Sequence, residues 1–387
     1  MKILFYRYGS ICEPDIIEAM KHLGHEVFCI NLEITDKNIP TQTVIKHVSD
    51  TLLSSSFDCI FSINFYPVLS EICNIMKLPY ICWTVDSPVM ELYSDSYSNE
   101  WNRIFLFDSM QYQDFAPYNP AHTFFLPLAT NVNRWNSVLT DVNPDSYKSD
   151  ISFVGSLYTE KCPYDSIQNP SPYLEGYLNG IMDAQEQIYG AFLLNELLPD
   201  SIVKEFIDCM PDYYIPPEKA RRVDRDIIAQ QYLGMKVTAN ERKHLLSLLG
   251  SHFSVDLYTG SDADALPVHN RGRVKTLTEM PQVFAHSKIN LNMTCKSIRN
   301  GIPLRVFDVL GCGGLLTNYQ NDLSECFTIG EDLDIFTSPD DLLSKCEYYL
   351  SHEKERKEIA ANGYQKVLNH YTYEKQLQKM LSSAISL

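Results

Sequence analysis

The first 130 residues alternate short apolar runs with stretches of helical periodicity, and this alternation constrains the fold more than any other feature of the chain. Short apolar runs bounded by polar turns are typical of buried strands, whereas apolar residues repeating every three to four positions are typical of helices. Repeated strand–helix units predict a parallel, doubly wound sheet whose binding crevice lies at the carboxyl ends of its strands. The expected strands are Ile3–Tyr6, His25–Ile30, Cys59–Ser62 and Tyr80–Trp83, and the expected helices are Glu13–Leu23, Thr41–Ser54 and Pro67–Lys77.

A second α/β pattern occupies the C-terminal half of the chain. Its expected strands are Ile151–Gly155, Ser254–Tyr258, Ile289–Asn292 and Gly314–Thr317, and two helices, Pro339–Leu350 and Glu353–Asn369, precede a last segment, Tyr373–Ile385. Residues 171–249 are rich in helical periodicity, which predicts a helical insertion, and the polar stretch Asn131–Asp150 with its Pro144 is typical of a linker. Because 387 residues suit two cores, we expect an N-terminal domain over 1–140 and a C-terminal domain over 150–370.

The net charge of −17 limits the partners of the protein. An acidic surface repels nucleic-acid phosphates and anionic lipid headgroups unless a basic patch overrides it. The best candidate patch is Lys219–Arg225 with Lys236, Arg242 and Lys243, but acidic residues are interleaved throughout it. We interpret the patch as a solvated helix face, so nucleic-acid binding and stable membrane insertion are not expected.

The N-terminal sequence reads as the start of a strand and has no signal-peptide pattern, and no apolar run is long enough to span a membrane. The eleven cysteines include no Cys-x-x-Cys pair, and most lie in apolar runs. Buried thiols in a reducing compartment are therefore expected, and we predict a cytoplasmic protein.

The segment Gly301–Asn318 carries the clearest sign of chemistry. It predicts a short helix bearing Arg305 and Asp308, then a glycine turn and a buried strand. A cation and free helix N–H groups could hold a diphosphate, and a carboxylate one turn later could accept bonds from ribose hydroxyls. The alternative is an ordinary helix–strand unit whose glycines serve only the turn.

Several motifs occur in the order found in a known enzyme family. Phe307–Gly313 resembles the second half of the Glu, seven residues, Glu pattern of GT-B glycosyltransferases related to glycogen synthase and sucrose synthase, although Asn300 stands where the first Glu is expected. More closely, the chain resembles the bacterial, spore-maturation (CgeB-type) branch, whose C-terminal domain is of the group 1 type. The motifs that carry this resemblance are Ser62–Pro67, Pro79–Pro88, Phe105–Asp108, Leu126–Ala129, Ser152–Leu157 and Ser297–Arg305 with Asn318–Gln320.

The resemblance implies a GT-B fold, with two Rossmann-like doubly wound domains facing a cleft and a helical insertion in the second. It also implies a glycosyltransferase that moves a sugar from a nucleotide diphosphate-sugar to a glycan, protein or small-molecule acceptor, without a metal or other cofactor. In such enzymes a final helix crosses back to the N-terminal domain, and residues 371–387 are placed to do so. A non-catalytic nucleotide- or glycan-binding module and a sugar-nucleotide epimerase remain as alternatives.

On the donor side, the resemblance extends the candidate set beyond Arg305 and Asp308. The turn Gly155–Ser156 would offer backbone N–H groups to the phosphates, and Arg273 with Val274 would hold the base through backbone groups. Lys296 and Arg299 precede Asp308 and are further candidates for the diphosphate, although each could instead be a surface charge.

On the acceptor side, Asp86 is the candidate general base because it follows a buried strand and is fixed by Ser87–Pro88. The alternative is an Asp that caps a turn. Gly9, Asn64 and Tyr66 also follow strands and are expected to shape the acceptor site.

No metal site is expected. Asp262-Ala-Asp264 matches the Asp-x-Asp motif of another glycosyltransferase architecture, but two acidic residues in a polar turn need no metal. The histidines and cysteines show no zinc-binding spacing, and the dinucleotide fingerprint is missing after the first strand, which argues against an oxidoreductase.

Overall fold

The computed structural model describes residues 1–140, 146–160, 162–216 and 220–385. The chain falls into two compact units. Unit 1 consists of Met1–Thr130, Pro216–Arg222 and His370–Leu387, and unit 2 of Asn131–Ile215 and Val223–Asn369.

Unit 1 is built on a parallel sheet. Its strands are β1 (Lys2–Tyr6), β2 (Glu26–Ile30), β3 (Cys59–Ile63), β4 (Tyr80–Trp83), β5 (Asn102–Leu106) and β6 (Thr123–Phe125). The strand order β2-β1-β3-β4-β5-β6 reverses between β1 and β3. Every residue of β3, β4 and β5 is buried, as expected for strands covered on both faces. The helices of this part are α1 (Glu13–His22), α2 (Leu32–Thr35), α3 (Thr41–Ser54), α4 (Pro67–Met76) and α5 (Ser109–Phe115).

Unit 2 contains a second parallel sheet of six strands. They are β7 (Ser149–Val154), β8 (Val255–Tyr258), β9 (His269–Asn270), β10 (Ser287–Asn292), β11 (Leu315–Asn318) and β12 (Asp334–Phe336). The order β12-β11-β10-β7-β8-β9 is that of the Rossmann fold, and it reverses between β7 and β10. In such sheets ligands bind at the carboxyl ends of the two strands that flank the reversal.

Helices surround this second sheet and fill the long connection between β7 and β8. A π-helical segment, Ile227–Leu233, joins α9 to α10 in that connection. The helices are α6 (Val132–Leu139), α7 (Pro172–Glu186), α8 (Asp200–Asp208), α9 (Asp224–Asp226), α10 (Gly234–Gly250), α11 (Met280–His286), α12 (Leu304–Leu310), α13 (Leu323–Cys326), α14 (Pro339–Ser351) and α15 (Glu353–His370).

The C-terminal helix α16 (Tyr373–Ile385) belongs to unit 1, where it packs on α1. Leu377 and Met380 on this helix are fully buried. The Gln376 side chain donates to the carbonyl of Pro127 at 2.7 Å, just beyond the sheet of unit 1. Part of the hydrophobic core of unit 1 is therefore supplied by residues far from it in sequence.

The strands and helices expected before residue 84 are all present, with ends that differ by at most one residue.

The expectation of a linker over Asn131–Asp150 is wrong for its first part. The stretch assigned to a linker begins with α6, because the Asn131 side chain accepts a bond from the N–H of Arg134 and the apolar Val132 and Trp135 are buried. Pro144, the residue that favoured a linker, lies outside the described residues.

Candidate active site

The turn after β7 lies at the point where the strand order of unit 2 reverses. Gly155 donates its N–H to the carbonyl of Tyr258 at 3.1 Å, which ties the turn to the end of β8. The Ser156 hydroxyl accepts from the N–H of Tyr158 at 2.8 Å and donates to Glu160 at 3.0 Å. The turn lies at the edge of the sheet where a ligand is expected, but the expectation that Gly155 offers its N–H to a phosphate is wrong, because that N–H already bonds to Tyr258.

Arg242 reaches the same point from the helical connection, and our interpretation of it as part of a solvated helix face is wrong. Its side chain is buried, and its two amino groups donate to the carbonyls of Ser156 and Met293, both at 2.5 Å. These carbonyls follow β7 and β10, the two strands that flank the reversal. The residue was missed because charged neighbours in the sequence suggested exposure.

Arg305 and Asp308 lie on α12, one turn apart. The Arg305 guanidinium lies 5.4 Å from the ring of Phe284 and contacts the sulfur of Met280. Burial lowers the pKa of Arg305, Asp308 opposes this change, and the positive charge of Arg242 adds to it. The two arginines are thus close enough to repel each other.

The glycine turn after α12 does not lie where a diphosphate would bind. Gly311–Gly314 precedes β11 and so lies at the amino-terminal edge of the sheet, opposite the edge where ligands bind. A Cβ at Gly313 would overlap the carbonyl oxygen of Phe284, which explains the glycine by packing. The alternative reading, in which these glycines serve the turn, is the one that the geometry supports.

Lys296 and Arg299 are buried, so the interpretation of either as a surface charge is wrong. The Lys296 ammonium lies 3.1 Å from the carboxylate of Glu241 on α10 and 4.0 Å from the ring centre of Tyr189. Glu241 therefore already neutralises this lysine. Asn300, at the position of the missing first carboxylate, accepts a bond from the Asn321 side chain at 2.8 Å.

Arg273 lies at the carboxyl end of β8, where its guanidinium packs on the backbone of Gly260. It is exposed, and Val274 follows it half-buried in the same loop. The nearby carboxylate of Asp262 accepts a bond from the N–H of Asp264 at 3.1 Å, a turn-forming contact. In the described part of the chain, no three His, Cys, Asp or Glu side chains are grouped so that they could hold a metal ion.

In unit 1, the candidate acceptor residues gather where the strand order reverses between β1 and β3. The Asn64 side chain donates to the carboxylate of Asp86 at 2.7 Å and accepts from the N–H of Val85 at 3.0 Å. Asn64 and Gly9 both have positive φ, 58° and 94°, as tight turns after strands require. Asp86 is exposed, and within the described residues it bonds to this side chain and to no backbone N–H, which disfavours a capping role.

Glu33, which the sequence analysis did not identify, joins this group. Its two oxygens accept from the hydroxyls of Tyr6 at 2.6 Å and Tyr66 at 3.2 Å. Burial raises the pKa of both phenols, and the neighbouring Glu33 raises them further, so both remain hydrogen-bond donors at neutral pH. Carboxylates beside tyrosine rings present acceptors and apolar faces to a polyhydroxylated molecule.

The C-terminal part of the chain matches a known family. Residues 237–382, which run from α10 to α16, match a family model described as glycosyl transferase-like. This part of the chain is therefore a glycosyl transferase-like domain. No curated protein matches the sequence.

Solved structures with the same fold have very different sequences. The chain is similar to Anabaena HepE in complex with UDP-glucose (12% identity, TM-score 0.55), with all of both chains covered. It is also similar to a glycosyltransferase from Rickettsia africae (10%, TM-score 0.56, covering 100% and 98% of the two chains). A third similar structure is sucrose-phosphate synthase from Thermosynechococcus elongatus (11%, TM-score 0.51, covering 99% and 98%). The expected GT-B fold of two Rossmann-like domains is confirmed.

The helices were also compared with the requirements of a membrane span. Among the described residues, no helix combines the length and the apolar character needed to cross a membrane.

Proposed function

We propose that this protein is a glycosyltransferase that moves a sugar from a nucleoside diphosphate sugar to a hydroxyl of a glycan, protein or small-molecule acceptor. The observation that carries the proposal is the reversal of strand order in unit 2. Beside it, Arg305 supplies positive charge and Asp308 a carboxylate for the nucleotide sugar. The turn after β7 would add the N–H of Ser156, because the N–H of Gly155 already bonds to Tyr258.

Sugar transfer at this site forms one bond and breaks another. The acceptor oxygen forms a bond to the anomeric carbon of the sugar, and the bond from that carbon to the diphosphate oxygen breaks. The electron pair leaves with the diphosphate, whose charge the cations of unit 2 stabilise. The acceptor proton passes to a carboxylate, for which we propose Asp86. Stabilisation by protein cations requires no metal ion.

On the donor side, Asp308 would accept from the ribose hydroxyls, and Arg273 and Val274 would hold the base through their backbone. Arg305 would contact the diphosphate. Lys296 is buried against Glu241, so we assign it to fixing the loop before α12, together with the buried Arg299.

On the acceptor side, Asn64 would orient Asp86 through their 2.7 Å bond, while Gly9 allows the turn beside it. Tyr66 would pack on a sugar ring of the acceptor, with its hydroxyl fixed by Glu33. We further propose a bacterial, cytoplasmic enzyme of the spore-maturation branch, which the motifs of the sequence favour. The donor base and the stereochemical outcome stay open.

Thermal-shift measurements test the donor proposal directly. UDP is the first probe because the Anabaena protein of the same fold was crystallised with it. We expect UDP or another nucleoside diphosphate to raise the melting temperature, because a ligand that binds only the native state stabilises it, and we expect EDTA to leave this shift unchanged. A strict requirement for Mg²⁺ would contradict the proposal that protein groups bind the diphosphate without a metal ion.

Turnover distinguishes the transferase from the alternatives. Slow release of the nucleoside diphosphate from one nucleotide sugar would support transfer to water in the absence of acceptor. Interconversion of two nucleotide sugars would instead indicate an epimerase, and tight binding with neither reaction would indicate a binding module.

Replacing Asp308 by Ala is expected to weaken binding of the nucleoside diphosphate by about 1.5–3 kcal/mol, the usual range for losing a charged hydrogen-bond partner. Isothermal titration would measure this change. Glu347→Ala, an exposed carboxylate on α14, serves as the matched control and should leave binding unchanged. Asp308 is half-buried, so a loss of melting temperature as large as the loss of affinity would show that its role is structural.

A further inference from the structure

We propose that Arg242, carried by the last helix of the connection between β7 and β8, binds the diphosphate of the donor. This inference rests on the proposed function of unit 2 and adds a residue that lies outside every motif of the sequence.

The first argument is position. The two amino groups of Arg242 donate to the carbonyls of Ser156 and Met293, each 2.5 Å away. One carbonyl follows β7 and the other follows β10, so the guanidinium bridges the strand ends that flank the reversal of strand order. A ligand in a sheet of this order lies beside that reversal.

The second argument is charge. Arg242 is 8% exposed, and the described part of the chain gives it no carboxylate partner. Its Nε also has no hydrogen-bond partner there. A buried guanidinium without a counter-ion is unfavourable, and this is unexpected in a chain with a net charge of −17. An anionic ligand would supply both the missing charge and an acceptor for Nε.

The third argument is the neighbouring cation. Arg242 contributes to the lowered pKa of Arg305, so the two positive charges repel each other without a ligand. A diphosphate carries several negative charges and planar pairs of oxygens, which match the forked donors of arginine. A bound diphosphate would be attracted by both arginines, and this attraction would offset the repulsion between them.

Arg242 is held rigidly enough for this role. Its guanidinium lies 4.8 Å from the ring centre of Tyr158 and 5.3 Å from that of Phe153. The same helix is fixed to the loop after β10, because Thr238 accepts from the N–H of Lys296 at 2.8 Å. The connection between β7 and β8 therefore contributes to the donor site as well as to the core.

The competing explanation is that Arg242 has only a structural role, in which its two hydrogen bonds hold the carbonyls of Ser156 and Met293 together. If Arg242 has only this structural role, its removal would lower the stability of the free protein and leave the stabilisation by ligand unchanged. If Arg242 instead binds the ligand, its removal would leave the stability of the free protein about the same or raise it. The stabilisation by ligand would then be lost.

The test compares Arg242→Gln with the wild type, using UDP, inorganic pyrophosphate and uridine as probes in titration and thermal-shift measurements. Lys243→Gln, on the exposed adjacent residue of the same helix, is the control. We expect Arg242→Gln to bind UDP and pyrophosphate about ten- to a hundredfold more weakly, with uridine binding and the melting temperature of the free protein nearly unchanged. The control should bind all three probes like the wild type.

Two outcomes would overturn the inference: unchanged UDP and pyrophosphate affinity in Arg242→Gln, or a lower melting temperature of the free variant with an unchanged shift by UDP. If this variant does not fold, Arg242→Lys decides, because it keeps the charge but loses the fork. It should bind pyrophosphate about fivefold more weakly, and unchanged affinity would again overturn the inference. Wild-type protein that binds neither UDP nor pyrophosphate, nor any other nucleoside diphosphate, would contradict the proposed function itself.

Discussion

Asp86→Asn is expected to lower the rate of sugar transfer by about 100-fold or more, while the affinity for the nucleoside diphosphate stays nearly unchanged. An asparagine has the shape of the aspartate and still accepts the bond that Asn64 donates at 2.7 Å, so the loop should keep its structure. What it loses is the ability to take the proton of the acceptor hydroxyl. Steady-state rates at saturating donor and acceptor would measure the effect.

A matched control separates loss of the base from loss of charge. Asp50 is an exposed carboxylate on α3 of the same unit, and Asp50→Asn should transfer sugar at the wild-type rate. If Asp86→Asn also transfers at that rate, Asp86 is a turn residue. The departing phosphate would then be the better candidate for taking the proton, as in retaining enzymes.

Removing residues 373–387 is expected to prevent stable folding of unit 1. The missing helix α16 carries Leu377, Met380 and Leu381, all of them buried. Burying side chains of this size stabilises a protein by roughly 1.5–3 kcal/mol each, or roughly 5–9 kcal/mol together, which approaches the whole stability of a typical domain. Calorimetry should show the transition of unit 1 lost or moved to a much lower temperature, and transfer activity should disappear with it.

A single substitution gives a graded form of the same test. Leu377→Ala should cost about 2–5 kcal/mol because Leu377 is fully buried. Gln378→Ala changes the exposed adjacent residue and should alter stability by no more than about 0.5 kcal/mol. A truncated chain with the stability and activity of the full-length protein would show that α16 is dispensable.

The elements before residue 84 were predictable because their physical signals agree. Strands such as β3 and β4 are continuously apolar, and α4 begins at Pro67, where the missing N–H of proline costs a helix nothing. The short strands β9 and β12, with two and three residues, are too brief to show any period. They are strands because β8 and β11 offer backbone partners, which a sequence does not reveal.

The candidate site was predictable only where its residues follow strands. Asp86 and Asn64 were found in this way, and the structure places their side chains in contact. Glu33 was missed because it lies in the short helix α2 and acts through bonds to tyrosines that are distant in sequence. Arg242 left a signal that was not used, because it shares the buried side of α10 with Leu245 and Leu249.

The assignment of residues 370–385 to unit 1 has a consequence for how the chain folds as it is synthesised. The strands β1 to β6 leave the ribosome early, but the helix that completes their core is translated only after all of unit 2. The apolar surface on α1 that α16 covers must therefore stay uncovered, or be shielded by chaperones, while more than two hundred residues are added. Unit 2 can close its own core during that interval, so the order of folding is expected to be the reverse of the order in which the two sheets begin.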